Sequence, residues 1–159
     1  IDMKLEDWER VLRTNLTGTF LCSQAAARLM KENGGGAIVN IASLASFVGL
    51  SWVAGYCASK AGVMELTKVL AVEWAEYGIR VNAIAPGVFP TPLNRALIEG
   101  TPRGKWMQNH APMGRFGEPR EVVGAVVFLC SPAARFITGE TIAVDGGYLA
   151  CGVPAYPPE

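Results

Sequence analysis

At 159 residues, half of them hydrophobic, the chain is long enough for one domain with a core and too short for two. Its 14 basic and 14 acidic residues cancel, which leaves no electrostatic reason to expect nucleic acid or an anionic membrane as partner. The longest apolar run, Val122 to Cys130, is too short to span a bilayer, and no signal peptide is seen, so a soluble cytoplasmic protein is expected. His110 is the only histidine, and Cys22, Cys57, Cys130 and Cys151 show no C-x-x-C spacing. No metal site is expected, and the thiols read as buried or idle.

In chain order, apolar residues from Trp8 to Met30 recur with a helical period, which predicts a long helix from Glu6 to about Asn33. The weak helix formers Asn15, Thr17, Gly18 and Thr19 predict a kink within it. Gly34 to Gly36 follow a helix and precede a strand, the reverse of the order a phosphate-binding glycine loop requires, and read as a turn. Ala37 to Ala42 is a near-continuous apolar strand of the kind covered on both faces in a parallel sheet. A second long helix runs from about Ala54 to Tyr77 and closes at Gly78, and its small residues Ala58, Ala61 and Gly62 would let another backbone approach. Ile79 to Ala85 is the second strand, broken by Pro86-Gly87.

Residues 88–117 form the least regular part, rich in proline and glycine around two short helical patterns near Leu93 to Ile98 and Arg103 to Gln108. A long segment of this kind in a compact domain is commonly a lid or binding loop. Glu118 opens a third helix with Pro119 in its first position, and Ser131-Pro132 ends it. The last strand is expected over 140–145, and the proline-rich ending from Val153 to Glu159 should be irregular. The order helix, strand, helix, strand, lid, helix, strand is the C-terminal portion of a doubly wound, Rossmann-type α/β fold: three parallel strands with flanking helices, in one partial domain spanning 1–159.

Tyr56 and Lys60 lie one helical turn apart, so on a helix they share a face about 6 Å from one another. At that distance, with an effective dielectric near 20, a unit positive charge favours a phenolate by about 3 kcal/mol. Ser43 closes the apolar run GAIVNIAS and places a hydroxyl at the end of a strand, where α/β sheets bind ligands. Taken alone, a helical Tyr/Lys pair is most often a half-exposed surface pair, and a serine at a strand end is weaker still. The combination of AIVNIAS with YCASKAGV changes the weighing, because the sequence there resembles the short-chain dehydrogenase/reductase family. Members of that family place a catalytic serine thirteen residues before the tyrosine of a Tyr-x-x-x-Lys motif.

That resemblance implies hydride transfer between a nicotinamide dinucleotide, NAD or NADP, and a secondary alcohol or ketone. Tyr56 would be the acid/base; Lys60 would tune it and hold the nicotinamide ribose; Ser43 would bind the substrate oxygen. Asn15, 28 residues before Ser43, would hold a water in the proton relay. Tyr56, Lys60, Pro86, Gly87, Val88 and Thr91 would bind the cofactor, the main chain at Val88 and the Thr91 hydroxyl contacting the nicotinamide carboxamide. Helices 6–32 and 55–77 would pair with their copies in a homo-oligomer, a dimer or tetramer.

The resemblance covers about the C-terminal three-fifths of a family member, since no glycine-rich fingerprint after a strand is present. The reading is therefore of a fragment whose sheet keeps one unpaired edge, which should fold poorly and bind dinucleotide weakly. The lid and the ending ITGETIAVDGGYLACGV look most like the gluconate 5-dehydrogenase and sugar-acid branch, with 3-oxoacyl-carrier-protein reductases close behind. Arg95, Arg103, Lys105 and Arg115 are candidates to neutralise a carboxylate. A third reading is an inactive oligomerisation unit. An α/β-hydrolase is excluded by the lack of G-x-S-x-G.

Overall fold

The computed structural model describes residues 1–153, so the expected irregular ending lies, beyond Val153, outside the described residues. The first predicted helix is α1 (Leu5–Leu12), a π-helical turn (Arg13–Thr17) and α2 (Gly18–Glu32). The expected kink is therefore a π turn. Poor helix formers sit there, and the Thr19 hydroxyl donates to Asn15 O at 2.7 Å, competing for a main-chain carbonyl. The extra residue also lets Leu16 seat on the second long helix at Gly62, where a Cβ would lie 2.8 Å from Leu16 Cδ2. What approaches Gly62 is thus the side chain of Leu16, not the backbone that the small residues suggested.

The turn after α2 uses Gly34 and Gly35, both with positive φ, and a Cβ on Gly35 would lie 2.5 Å from Gly78 O. Gly36 belongs to the strand rather than the turn, because its N–H donates to Gly78 O at 3.2 Å and begins the pairing. Strands β1 (Gly36–Ile41), β2 (Ile79–Pro86) and β3 (Thr141–Val144) form a parallel sheet in the order β1-β2-β3. Between β1 and β2 runs α3 (Ala54–Trp74), finished by a 3-10 turn (Ala75–Tyr77) and by Gly78 at φ 71°.

β2 is the central strand and its apolar residues are buried, packing on Val63, Leu70 and Ala71 of α3 on one side and on Leu129 and Ala134 on the other. β1, expected to be covered on both faces, is instead only partly covered, with Ile41 49% exposed. It is the edge of the sheet, paired with β2 alone among the described residues. Its buried Asn40 is satisfied within the core: Ser23 Oγ donates to Asn40 Oδ1, and Asn40 Nδ2 donates to Thr67 Oγ1.

After β2, the segment 88–117, expected to be a lid, carries α4 (Arg95–Ile98) and α5 (Pro102–His110), the latter capped by Thr101 Oγ1 accepting from Gly104 N at 3.0 Å. The third predicted helix starts as a 3-10 turn (Pro119–Val122) and becomes α6 (Val123–Cys130). Glu118 and Glu121 form a capping box at its start, as Pro119 in the first position suggests. Among the described residues no helix is long and apolar enough to cross a membrane.

Candidate active site

Because the strands are parallel, their carboxyl ends come out side by side: Ile41 pairs with Ile84, and Pro86 with Val144. Three sequence-predicted groups gather at this end. The first turns of α3 carry Tyr56 and Lys60, and Lys60 Nζ lies 5.8 Å from the Tyr56 ring centroid, the separation the i, i+4 spacing implies. Lys60 Nζ also donates to Ile41 O at 2.8 Å, tying α3 to the last residue of β1. Ser46 Oγ donates to Lys60 O at 2.7 Å and ties the same turn to the 3-10 segment Leu44–Ser46. Burial pushes the Lys60 ammonium below its ordinary pKa.

Ser43 is buried two residues past β1, with Oγ accepting from Ala45 N at 3.1 Å as the cap of that 3-10 turn. Asn15 reaches the site from the π turn. Its Nδ2 donates to Ser59 Oγ at 3.0 Å, and Ser59 Oγ donates to Tyr56 O at 2.7 Å. Asn15 and Lys60 also open on one cavity of about 640 Å³ that runs along the uncovered side of β1. Sequence reasoning missed Ser59, which is fully buried and sits inside the YCASK run; its hydroxyl among alanines was the available signal.

At the end of β2, Gly87 N donates to Val144 O at 2.9 Å, and a Cβ on Gly87 would lie 2.6 Å from Asp145 Cα. Only glycine lets the two strand ends approach this closely. Val88 O accepts from Gly117 N at 2.9 Å, so the far end of the lid returns to its start. Thr91 lies in a turn held by Asn94, whose Oδ1 accepts from Thr91 N at 2.7 Å and from Thr91 Oγ1 at 3.1 Å. Asn94 was not singled out in the sequence. The structure thus links Asn15 through Ser59 to the main chain of Tyr56, while the Lys60 ammonium bonds Ile41 O instead, and no hydrogen bond among the described residues joins Ser43 or Thr91 to Tyr56.

A second cavity, of about 470 Å³, lies between the loop before α3 and the lid, lined by Trp52, Arg103, Trp106, His110 and Tyr148. Trp106 and His110 are stacked with centroids 5.1 Å apart, and Tyr148 meets His110 edge-on at 4.5 Å. Arg103 lies over the Trp52 ring at 5.5 Å and donates to Ser51 O. Arg115 is committed to Glu121 at 2.7 Å and Arg95 to Glu99 at 3.3 Å, so of these three arginines Arg103 is the one facing a cavity without a carboxylate partner among the described residues. All four cysteines are free; Cys22 and Cys130 are exposed on α2 and α6 and Cys57 and Cys151 are half-buried, so of the expectation that the thiols are buried or idle the buried alternative does not hold.

An ammonium, a phenol and a network-held asparagine amide at the carboxyl edge of a parallel sheet define a Rossmann-type chain with a Tyr-Lys pair at its ligand-binding end. The chain belongs to the short-chain dehydrogenase/reductase family: a sequence model of that family, described as enoyl-(acyl carrier protein) reductase, matches residues 1–149. A D-threitol dehydrogenase of Mycolicibacterium smegmatis is 48% identical over 147 residues, covering 92% of this chain and 56% of that protein. A 3-oxoacyl-[acyl-carrier-protein] reductase of Synechocystis is 44% identical, covering 91% and 57%. The crystal structure of a gluconate 5-dehydrogenase from Burkholderia cenocepacia, in complex with NADP and tartrate, superposes with a TM-score of 0.91 at 41% identity, covering 94% of this chain and 59% of that one. The chain therefore spans under three-fifths of the length of these relatives.

Proposed function

We propose that this chain carries the catalytic portion of an NAD- or NADP-dependent oxidoreductase acting on a secondary alcohol or ketone, a polyol or sugar acid. The observation that carries the proposal is the Lys60 ammonium, held 5.8 Å from the Tyr56 ring by its bond to Ile41 O at the ligand end of the sheet. The polar groups suit a nicotinamide riboside: the Lys60 ammonium and Tyr56 hydroxyl for the ribose diol, the Val88 main chain and Thr91 hydroxyl for the carboxamide. When bound, the nicotinamide ring supplies or accepts the hydride.

Tyr56 gives a proton to the substrate oxygen, or takes one, beside the Lys60 ammonium. Ser43 donates a hydrogen bond to that oxygen. Asn15, opening with Lys60 on the 640 Å³ cavity, positions water that returns the proton to solvent. Pro86 and Gly87 bring the main chain at Val88 to the nicotinamide side of the site, and residues 88–117 close over the substrate. Tyr56→Phe should lower kcat by several orders of magnitude while weakening cofactor affinity only by the roughly fivefold of one lost hydrogen bond. A variant that keeps more than a tenth of the wild-type rate counts against the assignment.

For the substrate, the 470 Å³ cavity pairs two indole rings with the Arg103 guanidinium, surfaces suited to the C–H face and the carboxylate of a sugar acid. The similarity to a gluconate 5-dehydrogenase and a threitol dehydrogenase points the same way. A 3-oxoacyl thioester is the second reading, favoured by the acyl-carrier-protein reductase relative. A panel of keto-gluconates and acetoacetyl thioesters with NADH and NADPH separates the two. Leu21 and Leu29 of α2 and Val69 and Val72 of α3 are exposed, which supports a homo-oligomer through these helices; the compartment proposed for it is the cytoplasm.

A further inference from the structure

We infer that Asn94 fixes the direction of the Thr91 hydroxyl, so that the lid presents an acceptor, and no donor, to the ligand group it meets. The inference rests on the nicotinamide reading above and deepens it. A main-chain N–H can only donate, so the Asn94 side-chain atom 2.7 Å from Thr91 N is the carbonyl oxygen. The other end of the same side chain confirms the orientation, since Nδ2 donates to Phe89 O at 3.0 Å. The Thr91 hydroxyl lies 3.1 Å from that same oxygen, which has no hydrogen to give, and so the hydroxyl must donate to it. Its one proton is spent there. What Thr91 Oγ1 can offer a ligand is lone pairs.

The turn that holds this arrangement is closed in both directions. Asn94 N and Arg95 N donate back to Thr91 O at 3.1 and 2.9 Å, so the segment cannot rotate Thr91 without losing several bonds. Phe89, the third partner of Asn94, packs on Gly117, where a Cβ would lie 2.2 Å from the ring. An acceptor-only hydroxyl selects a primary amide, whose NH₂ donates, over a carboxylate or a methyl ketone, which cannot. Asn94 is therefore a positioning residue that sets which end of the carboxamide faces Thr91.

The test measures Kd by ligand-observed NMR titration of the full chain with NADH and with its 3-acetylpyridine analogue, in which a methyl replaces the amide NH₂. Wild type should prefer the carboxamide about fivefold, the size of one net neutral hydrogen bond. Thr91→Val should abolish that preference by weakening the carboxamide alone, and Asn94→Ala should abolish it by freeing the hydroxyl to donate to the acetyl oxygen, which tightens the acetylpyridine analogue while carboxamide affinity stays within about twofold. Asn94→Asp keeps an oxygen for both Thr91 donors and should retain the preference. A role in loop stability alone would weaken both ligands equally in every variant. If Asn94→Ala keeps the preference that Thr91→Val loses, the inference is overturned and the nicotinamide reading survives. Where Asn94→Ala does not fold, loss of the preference in folded Asn94→Asp overturns it instead. If wild type shows no preference, or binds neither dinucleotide, the nicotinamide reading itself fails and the inference with it.

Discussion

Ser59→Ala isolates the link between the π turn and Tyr56. Ser59 is fully buried and its hydroxyl makes two bonds, accepting from Asn15 Nδ2 at 3.0 Å and donating to Tyr56 O at 2.7 Å. The substitution removes one oxygen and creates almost no cavity, so the cost is that of the bonds. Tyr56 O is a carbonyl inside α3 and keeps its helical partner, which makes its loss the smaller one. The Asn15 amide loses its acceptor in a partly buried place, and an unsatisfied donor there costs about 1–3 kcal/mol. The sum is about 2 kcal/mol. For a chain of this size that lowers Tm by roughly 4–8 °C. The decisive measurement is a double-mutant cycle of thermal or urea melts with Asn15→Ala, where the coupling should be about 1 kcal/mol. Strict additivity of the two substitutions would refute the link, because it would mean that the Asn15 amide gains nothing from Ser59.

Two further perturbations address the lid. Glu121, bound to Arg115 and to Glu118 N, has its carboxyl pKa held down to about 2 from an ordinary 4.5, first by the Arg115 hydrogen bond. A depressed carboxylate stabilises the fold fully above about 4.5 and loses that contribution as pH falls toward 2. Glu121→Gln should therefore lower Tm at pH 7, with a deficit that shrinks across that window; a deficit independent of pH would refute the assignment. Gly104→Ala forces a Cβ to within 1.6 Å of Ile98 O, which α5 can relieve only by moving off α4. Overpacking of this kind costs about 1–3 kcal/mol. Amides of 102–110 should lose hydrogen-exchange protection while those of β2 keep theirs, and unchanged protection in both would count against it.

The repeat of apolar residues and the placement of glycine and proline located every principal helix and strand to within a few residues. These signals are local, written into runs of chain that carry their own periodicity. The Tyr56/Lys60 pair was legible for the same reason, since an i, i+4 spacing on a helix is a distance in space. The π turn was readable only as a kink. Weak helix formers mark where an α-helix gives way, but whether it bends, breaks or gains a residue depends on what packs against it, here Leu16 on Gly62.

Partnerships across the fold carried no such signal. Asn15 and Ser59 are 44 residues apart, and nothing in either neighbourhood names the other. Asn94 lies three residues from Thr91, near enough to suspect, yet its two acceptor contacts depend on a turn geometry that proline-rich sequence does not specify. The aromatic cavity gathers Trp52, Trp106, His110 and Tyr148 from three separate segments. Chain order and the Tyr-Lys chemistry follow from short-range pattern, because neighbours along a helix or strand are held at set spacings by the backbone. The direction of the Thr91 hydroxyl, the half-covered state of β1 and the company kept by Arg103 follow from packing, because each depends on side chains that only the folded chain brings within reach.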